Sequence, residues 1–144
     1  MNTFEPFEIV SDRFLGRESH NHNRLITSVA LSVEERRQVA RLICEKLASS
    51  KGHISFFIPT LGCNEWERPG SPLYDEKGLK AFIQELKINM PDKVKMIELD
   101  CHINDKVFCN SIANINQSIV NINNVVKIKI SSLSIEQYKF FFDK

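Results

Sequence analysis

The stretch His53-Ile-Ser-Phe-Phe-Ile-Pro59, continued by Thr60-Leu-Gly-Cys-Asn-Glu-Trp-Glu-Arg-Pro-Gly-Ser-Pro-Leu-Tyr-Asp75, decides the fold class. The first run is apolar without regular alternation, which predicts a strand covered on both faces, as in a parallel sheet. Pro59 ends it, since proline offers no N–H to a ladder. Helical periodicity returns at Glu76, with Leu79, Phe82, Ile83 and Leu86 at i, i+3, i+4 and i+7. Pro91 closes that helix.

The same alternation extends in both directions. Upstream, Leu25–Leu31 reads as a short strand and Ser32 opens a helix. Ser32-Val-Glu-Glu35 has the form of a capping box, with Ser32 accepting from the amide of Glu35 and Glu35 reaching back. Val39, Leu42, Ile43 and Leu47 form the apolar stripe of this helix, and Arg36, Arg37, Arg41 and Lys46 are assigned to its solvated face. It is expected to stop near Ser49–Gly52, where Gly52 suits a left-handed turn. Downstream, Lys95–Asp100 reads as a strand and Asp105 stands near the start of a helix with Phe108, Ile112, Ile115 and Ile119 on one stripe. Val125–Ile130 alternates like a partly exposed strand, and Ser134 with Gln137 forms a second capping box before a last helix.

The order β-α-β-α-β-α-β-α predicts an α/β fold: three layers, with a mainly parallel sheet and helices on both faces. Right-handed crossovers would bring the strand-to-helix loops to one edge, where ligands of such folds bind. Residues 1–24 are read as a lead-in segment, 25–120 as the α/β domain, and 121–144 as a strand–helix extension of that domain. His20 and His22 in the lead-in are read as parts of a solvated linker in preference to a metal site, since no third ligand lies nearby.

Composition narrows the function classes. A chain of 144 residues with net charge +1, 42% apolar and 26% charged residues fits one ordinary domain. It has no bulk field for nucleic acid or an anionic membrane. Cys44, Cys63, Cys101 and Cys109 form no C-x-x-C pair, so a zinc site or disulfide framework is not expected. No signal-peptide pattern and no apolar stretch of about eighteen residues is present, and the expected location is cytoplasmic.

Two loops carry the chemistry. Pro59–Asp75 is long for a connection in a compact domain, and Gly62 and Gly70 permit close backbone approach. It lacks the spacing and the Lys-Ser/Thr end of a phosphate-binding loop. Trp66, the single tryptophan, is assigned to packing ahead of ligand stacking. The second loop, Asp100-Cys-His-Ile-Asn-Asp105, offers two carboxylates and an imidazole for a divalent cation or acid–base chemistry. Its plainer role is local: Asp105 or Asn104 capping a helix, with His102 bonded inside the loop. A Cys63–His102 thiol–imidazole pair is a third, less favoured arrangement.

Three segments together resemble the C-terminal half of the Tm-one-like ATP-binding family, that of the tomato mosaic virus resistance protein and its bacterial relatives. They are His22-Asn23 with Ser32-Val-Glu-Glu35; Ile58-Pro59-Thr-Leu-Gly62-Cys-Asn64 through Glu67-Arg-Pro69-Gly70-Ser-Pro-Leu-Tyr74-Asp75; and His102-Ile-Asn104-Asp105-Lys-Val-Phe108. The resemblance covers about residues 10–120. It implies Gly62, Asn64, Pro69, Gly70, His102, Asn104 and Asp105 as candidate ligand-binding residues. In the family an N-terminal Rossmann-like half associated with nucleotide binding precedes this region. The implied role is therefore a protein- or small-ligand-binding module, with ATP and Mg²⁺ reached only through a partner subunit. The partner is either a separate Rossmann-like half or a second copy. The alternative is a metal-assisted hydrolase using Asp100, His102 and Asp105. The chain departs from the family pattern at Ala30-Leu31, where the family tends to carry Arg-Thr. It also departs at Asn64, which replaces a serine, and at Cys63, where an apolar residue is usual.

Overall fold

Ser32 opens the first helix as its spacing predicts. Its hydroxyl accepts from the Glu35 amide at 3.3 Å, and the Glu35 carboxylate accepts from the Ser32 amide at 2.8 Å. A computed structural model describes residues 1–6, 12–23 and 25–119 of the chain. Among the described residues three α-helices, α1 (Val33–Ser49), α2 (Glu76–Asn89) and α3 (Lys106–Ile119), accompany five strands. These are β1 (Asn2–Pro6), β2 (Ser19–Asn21), β3 (Ile26–Ala30), β4 (Ile54–Pro59) and β5 (Val94–Leu99). Ser50 caps the end of α1, and Gly52 turns the chain toward β4 with φ of +102°. The fold is mixed α/β. Among the described residues no helix is long and apolar enough to cross a membrane.

The apolar run centred on Phe56 forms β4 and pairs in parallel with β5, from Ile54↔Val94 to Pro59↔Leu99. Ile54, Phe56 and Ile58 share one face. They join Ala40, Cys44 and Leu47 of α1 and Leu79, Phe82, Ile83 and Leu86 of α2 in one core. Burying side chains of this size contributes about 1.5–3 kcal/mol each. Glu98 falls at the solvent margin of that face and bonds Lys87 of α2 at 2.8 Å.

The expected mainly parallel sheet is corrected at β3. Among the described residues, parallel pairing is confined to β4 and β5, while β3 is the centre of an antiparallel sheet in the order β1-β3-β2. The connection explains the β2–β3 pairing. Only a tight turn separates β2 from β3, with Asn23 Oδ1 accepting from the amides of Leu25 and Ile26 at 2.8 and 3.0 Å. So short a link permits antiparallel pairing alone. Neither Asn2–Pro6 nor Ser19–Asn21 is long or regular enough in its alternation to betray a strand from sequence. The expected strand Val125–Ile130 and the helix after Ser134 lie outside the described residues.

One side chain of α1 is also corrected. Arg36, assigned to the solvated face, is fully buried. The buried residues of α1 are Arg36, Ala40, Cys44 and Leu47, so the arginine begins the inward stripe.

Candidate functional site

Because β4 and β5 are in register, they end together, and the loops after Pro59 and Leu99 leave from one edge. Backbone pairing then continues past the strands. Thr60 donates to the Leu99 carbonyl at 2.9 Å, Leu61 to Cys101 at 3.1 Å, and Ile103 to Gly62 at 3.0 Å. The crossing point is Gly62, with φ of +141°, a backbone that side chains rarely adopt.

His102 is 2% exposed. Its Nε2 lies 2.8 Å from the Asn64 carbonyl, and its Nδ1 accepts from the Asn104 amide at 3.2 Å. A carbonyl can only accept, so Nε2 carries the proton and Nδ1 does not. These contacts therefore select a neutral ring of one tautomer. The His102 backbone amide donates to Asp105 Oδ2 at 2.8 Å, Arg68 donates to Asp105 Oδ1 at 3.0 Å, and the Asn104 side-chain amide donates to Glu65 Oε2 at 2.7 Å. The His102 amide, followed by Arg68, holds the Asp105 carboxyl below its usual range. The Asn104 amide, with Arg68, does the same for Glu65. Four of the expected residues, Asn64, His102, Asn104 and Asp105, are thus knit together over Gly62.

Pro69 and Gly70 play another part. Ser71 donates to the Arg68 carbonyl at 2.8 Å, and Gly70 has φ of +83°. Proline followed by a positive-φ glycine is the signature of a type II turn. Both residues are exposed, and the turn meets the cluster through Arg68.

The catalytic arrangements fare differently. The Asp100 carboxylate accepts from the Thr60 hydroxyl at 3.2 Å, whereas the His102 ring and the Asp105 carboxylate are engaged elsewhere. Among the described residues no group of three or more His, Cys, Asp or Glu side chains could hold a metal ion. Burial raises the Cys63 thiol, and both nitrogens of His102 are occupied by backbone groups, so no thiol–imidazole pair forms. Trp66 packs, as expected, and it does so on the lead-in histidines. Its ring centroid is 4.3 Å from that of His20 and 5.8 Å from that of His22, the latter edge-on.

Sequence reasoning missed the ion cluster beneath the loop. Arg36 donates from Nε to the Leu31 carbonyl at 3.1 Å and from Nη1 to Glu67 Oε1 at 3.0 Å. Its Nη2 lies 3.2 Å from Asp75 Oδ2, in ion-pair range but without a hydrogen-bond acceptor. Burial lowers the Arg36 pKa, and Asp75 opposes that effect. Glu67 Oε2 accepts from the Cys63 amide at 2.8 Å, and the Met1 amino group also reaches Glu67. Gly78 leaves the space: an added Cβ would stand 2.7 Å from Arg36 Nε. The available signal was the spacing 36-40-44-47, which places Arg36 in line with an inward stripe.

A mixed α/β domain presenting two interlocked loops at the carboxyl end of a parallel strand pair is the class defined by this geometry. The chain belongs to the Uncharacterised protein family (UPF0261) C-terminal domain, whose family model matches residues 1–120. It is 39% identical to a UPF0261 protein of Brucella melitensis over 101 residues, covering 70% of this chain and 24% of that protein. It is 32% identical to a UPF0261 protein of Clostridium tetani over 114 residues, 78% of this chain and 28% of that one. The ToMV resistance protein Tm-1 of Solanum lycopersicum is 26% identical over 114 residues, 78% of this chain and 15% of that protein. The chain thus spans about a quarter of the length of the bacterial relatives it matches.

Proposed function

We propose that this domain is a binding module that works with a second polypeptide or a second copy of itself, and that together they complete a site for ATP and Mg²⁺. The carrying observation is that the second loop is bonded within itself from His102 to Asn104 and Asp105, and is tied across to the first loop through His102 with the Asn64 carbonyl and Asn104 with Glu65. This makes a fixed surface and leaves the imidazole bonded at both nitrogens, which suits recognition better than proton transfer.

The helix termini agree with a shared site. Asp75 caps α2 and Asp105 stands before α3, so acidic groups already occupy both helix starts at this edge. Phosphate groups therefore need cations from the partner. Among the described residues β4 and β5 pair only with each other, and parallel strands are normally covered on both faces within larger sheets, which supports the same reading. In this proposal the partner extends the pair into the three-layer sheet. The relatives' greater length supplies candidates for that partner. The free thiols fit action in the cytoplasm.

The test mixes the purified chain with the unmatched remainder of the Brucella melitensis relative. Light scattering reads the mass, and calorimetry reads Mg²⁺-ATP binding. The expected result is a complex, either mixed or homodimeric, that binds nucleotide more tightly than the isolated chain. A chain that stays monomeric in both conditions and gains no nucleotide affinity would refute the proposal.

A further inference from the structure

We infer that Arg36, buried in the first turn of α1, is the positioning residue of the His102 edge; any consequence for ligand affinity rests on the binding role proposed above. The connection runs through three contacts. Arg36 Nη1 holds Glu67 Oε1 at 3.0 Å, Glu67 Oε2 holds the Cys63 amide at 2.8 Å, and the carbonyl of the next residue, Asn64, holds His102 Nε2 at 2.8 Å. On the other side of Cys63 is Gly62, where an added Cβ would run into the His102 ring. The Glu67 carboxylate thus governs the segment against which the imidazole is locked.

The same guanidinium grips two further places: the Leu31 carbonyl at the entrance to α1 and Asp75 at the far end of the loop. It is therefore a strap across the whole loop, anchored on a core helix. Glu67 is 2% exposed; without the guanidinium it keeps only the Met1 amino group, whose pKa burial lowers to about 4, so near pH 7 the carboxylate has to turn toward water or take up a proton. Either response withdraws an acceptor from the Cys63 amide and frees the Gly62–Asn64 segment to shift. A buried pair used this way contributes position more than stability, because apolar or neutral groups of similar shape can replace such pairs without loss of the fold.

The test uses the full chain carrying Arg36→Met with Glu67→Gln. This pair removes both charges and, with them, the anchor that holds the residue 67 side chain against the Cys63 amide. Amide exchange is followed by mass spectrometry, the His102 ring nitrogens by NMR, and Trp66 by its emission. Arg41→Met is the control, because Arg41 bridges Glu34 and Glu85 on the surface without reaching the loop. The expected result is exchange about tenfold faster than in the unsubstituted chain at residues 60–75 and 100–105, with α2 unchanged. A changed His102 nitrogen signal and a red-shifted Trp66 emission accompany it, with none of the three in the control. If the double variant does not fold, Arg36→Lys, which keeps the charge but loses the fork, is read by the same signals. Exchange that rises uniformly through the domain, or a His102 signal unchanged in the variant that folds, would overturn the inference. Neither readout involves ligand, so a failure of the binding proposal is detected separately, by calorimetry.

Discussion

The ring of His102 occupies the space that a side chain at Gly62 would need: an added Cβ would stand 2.6 Å from Cδ2 and 3.0 Å from Nε2. Gly62 also has φ of +141°, so Gly62→Ala meets both a steric and a backbone penalty. It is expected to destabilise the domain by about 2–4 kcal/mol. Urea unfolding followed by circular dichroism checks this, and a loss below about 0.5 kcal/mol would contradict the contact.

The neutral Nε2–H tautomer of His102 is a second expectation. Nitrogen-detected NMR near pH 7 should show a protonated Nε2 and an unprotonated Nδ1, as the Asn64 carbonyl and the Asn104 amide require. His102→Ala leaves that carbonyl without its donor and opens a cavity, a loss of about 2–4 kcal/mol.

Gly78→Ala tests the Arg36 cluster from the other side. Alanine is the better helix former by about 1 kcal/mol, yet its Cβ would lie 2.2 Å from Asp75 Oδ2 and 2.7 Å from Arg36 Nε. Destabilisation by about 1–3 kcal/mol is expected in thermal or denaturant melts. A gain in stability would mean that the guanidinium yields without penalty.

Thiol reactivity should separate the cysteines. Cys109 is exposed, while Cys44, Cys63 and Cys101 are buried and burial raises each of their thiol pKa values. Mass spectrometry after brief alkylation near pH 8 should find Cys109 modified first. Rapid labelling of Cys63 would reopen the nucleophile reading.

The acid limb follows from Asp105. Its carboxyl lies below the ordinary 3.8 because the His102 amide and Arg68 favour the charged form. Its contribution is therefore present in full above the ordinary value and is lost as pH falls through the lower, folded one. Stability should hold from pH 7 to about 5 and decline below about 4. Asp105→Asn should flatten that decline in a series of urea melts. A decline of equal depth in the variant would assign it to other carboxylates.

Local patterns made much of the frame legible. Ser32 with Glu35 announced α1, Pro59 marked the end of β4, and Leu79 to Leu86 marked the inward face of α2, because caps and periodicity act within a few residues. The edge carrying Gly62 and His102 could be named for the same reason, since parallel strands of matched register end together. Arg36 was misassigned because its charge was read as a solvated face although its spacing is in line with the inward stripe, and spacing does not show whether a carboxylate awaits it there. Glu67 lies thirty-one positions away, in an irregular loop.

The sequence by itself thus determined the helix boundaries, the apolar strand at the centre of the core, and the two loops that meet at its edge. The tertiary structure alone decided the antiparallel sheet around β3, the tautomer of His102 and the burial of Arg36. Each of those depends on partners distant along the chain or on an otherwise featureless lead-in. Hydrogen bonds and ion pairs reward closeness in space, which residue order does not reveal.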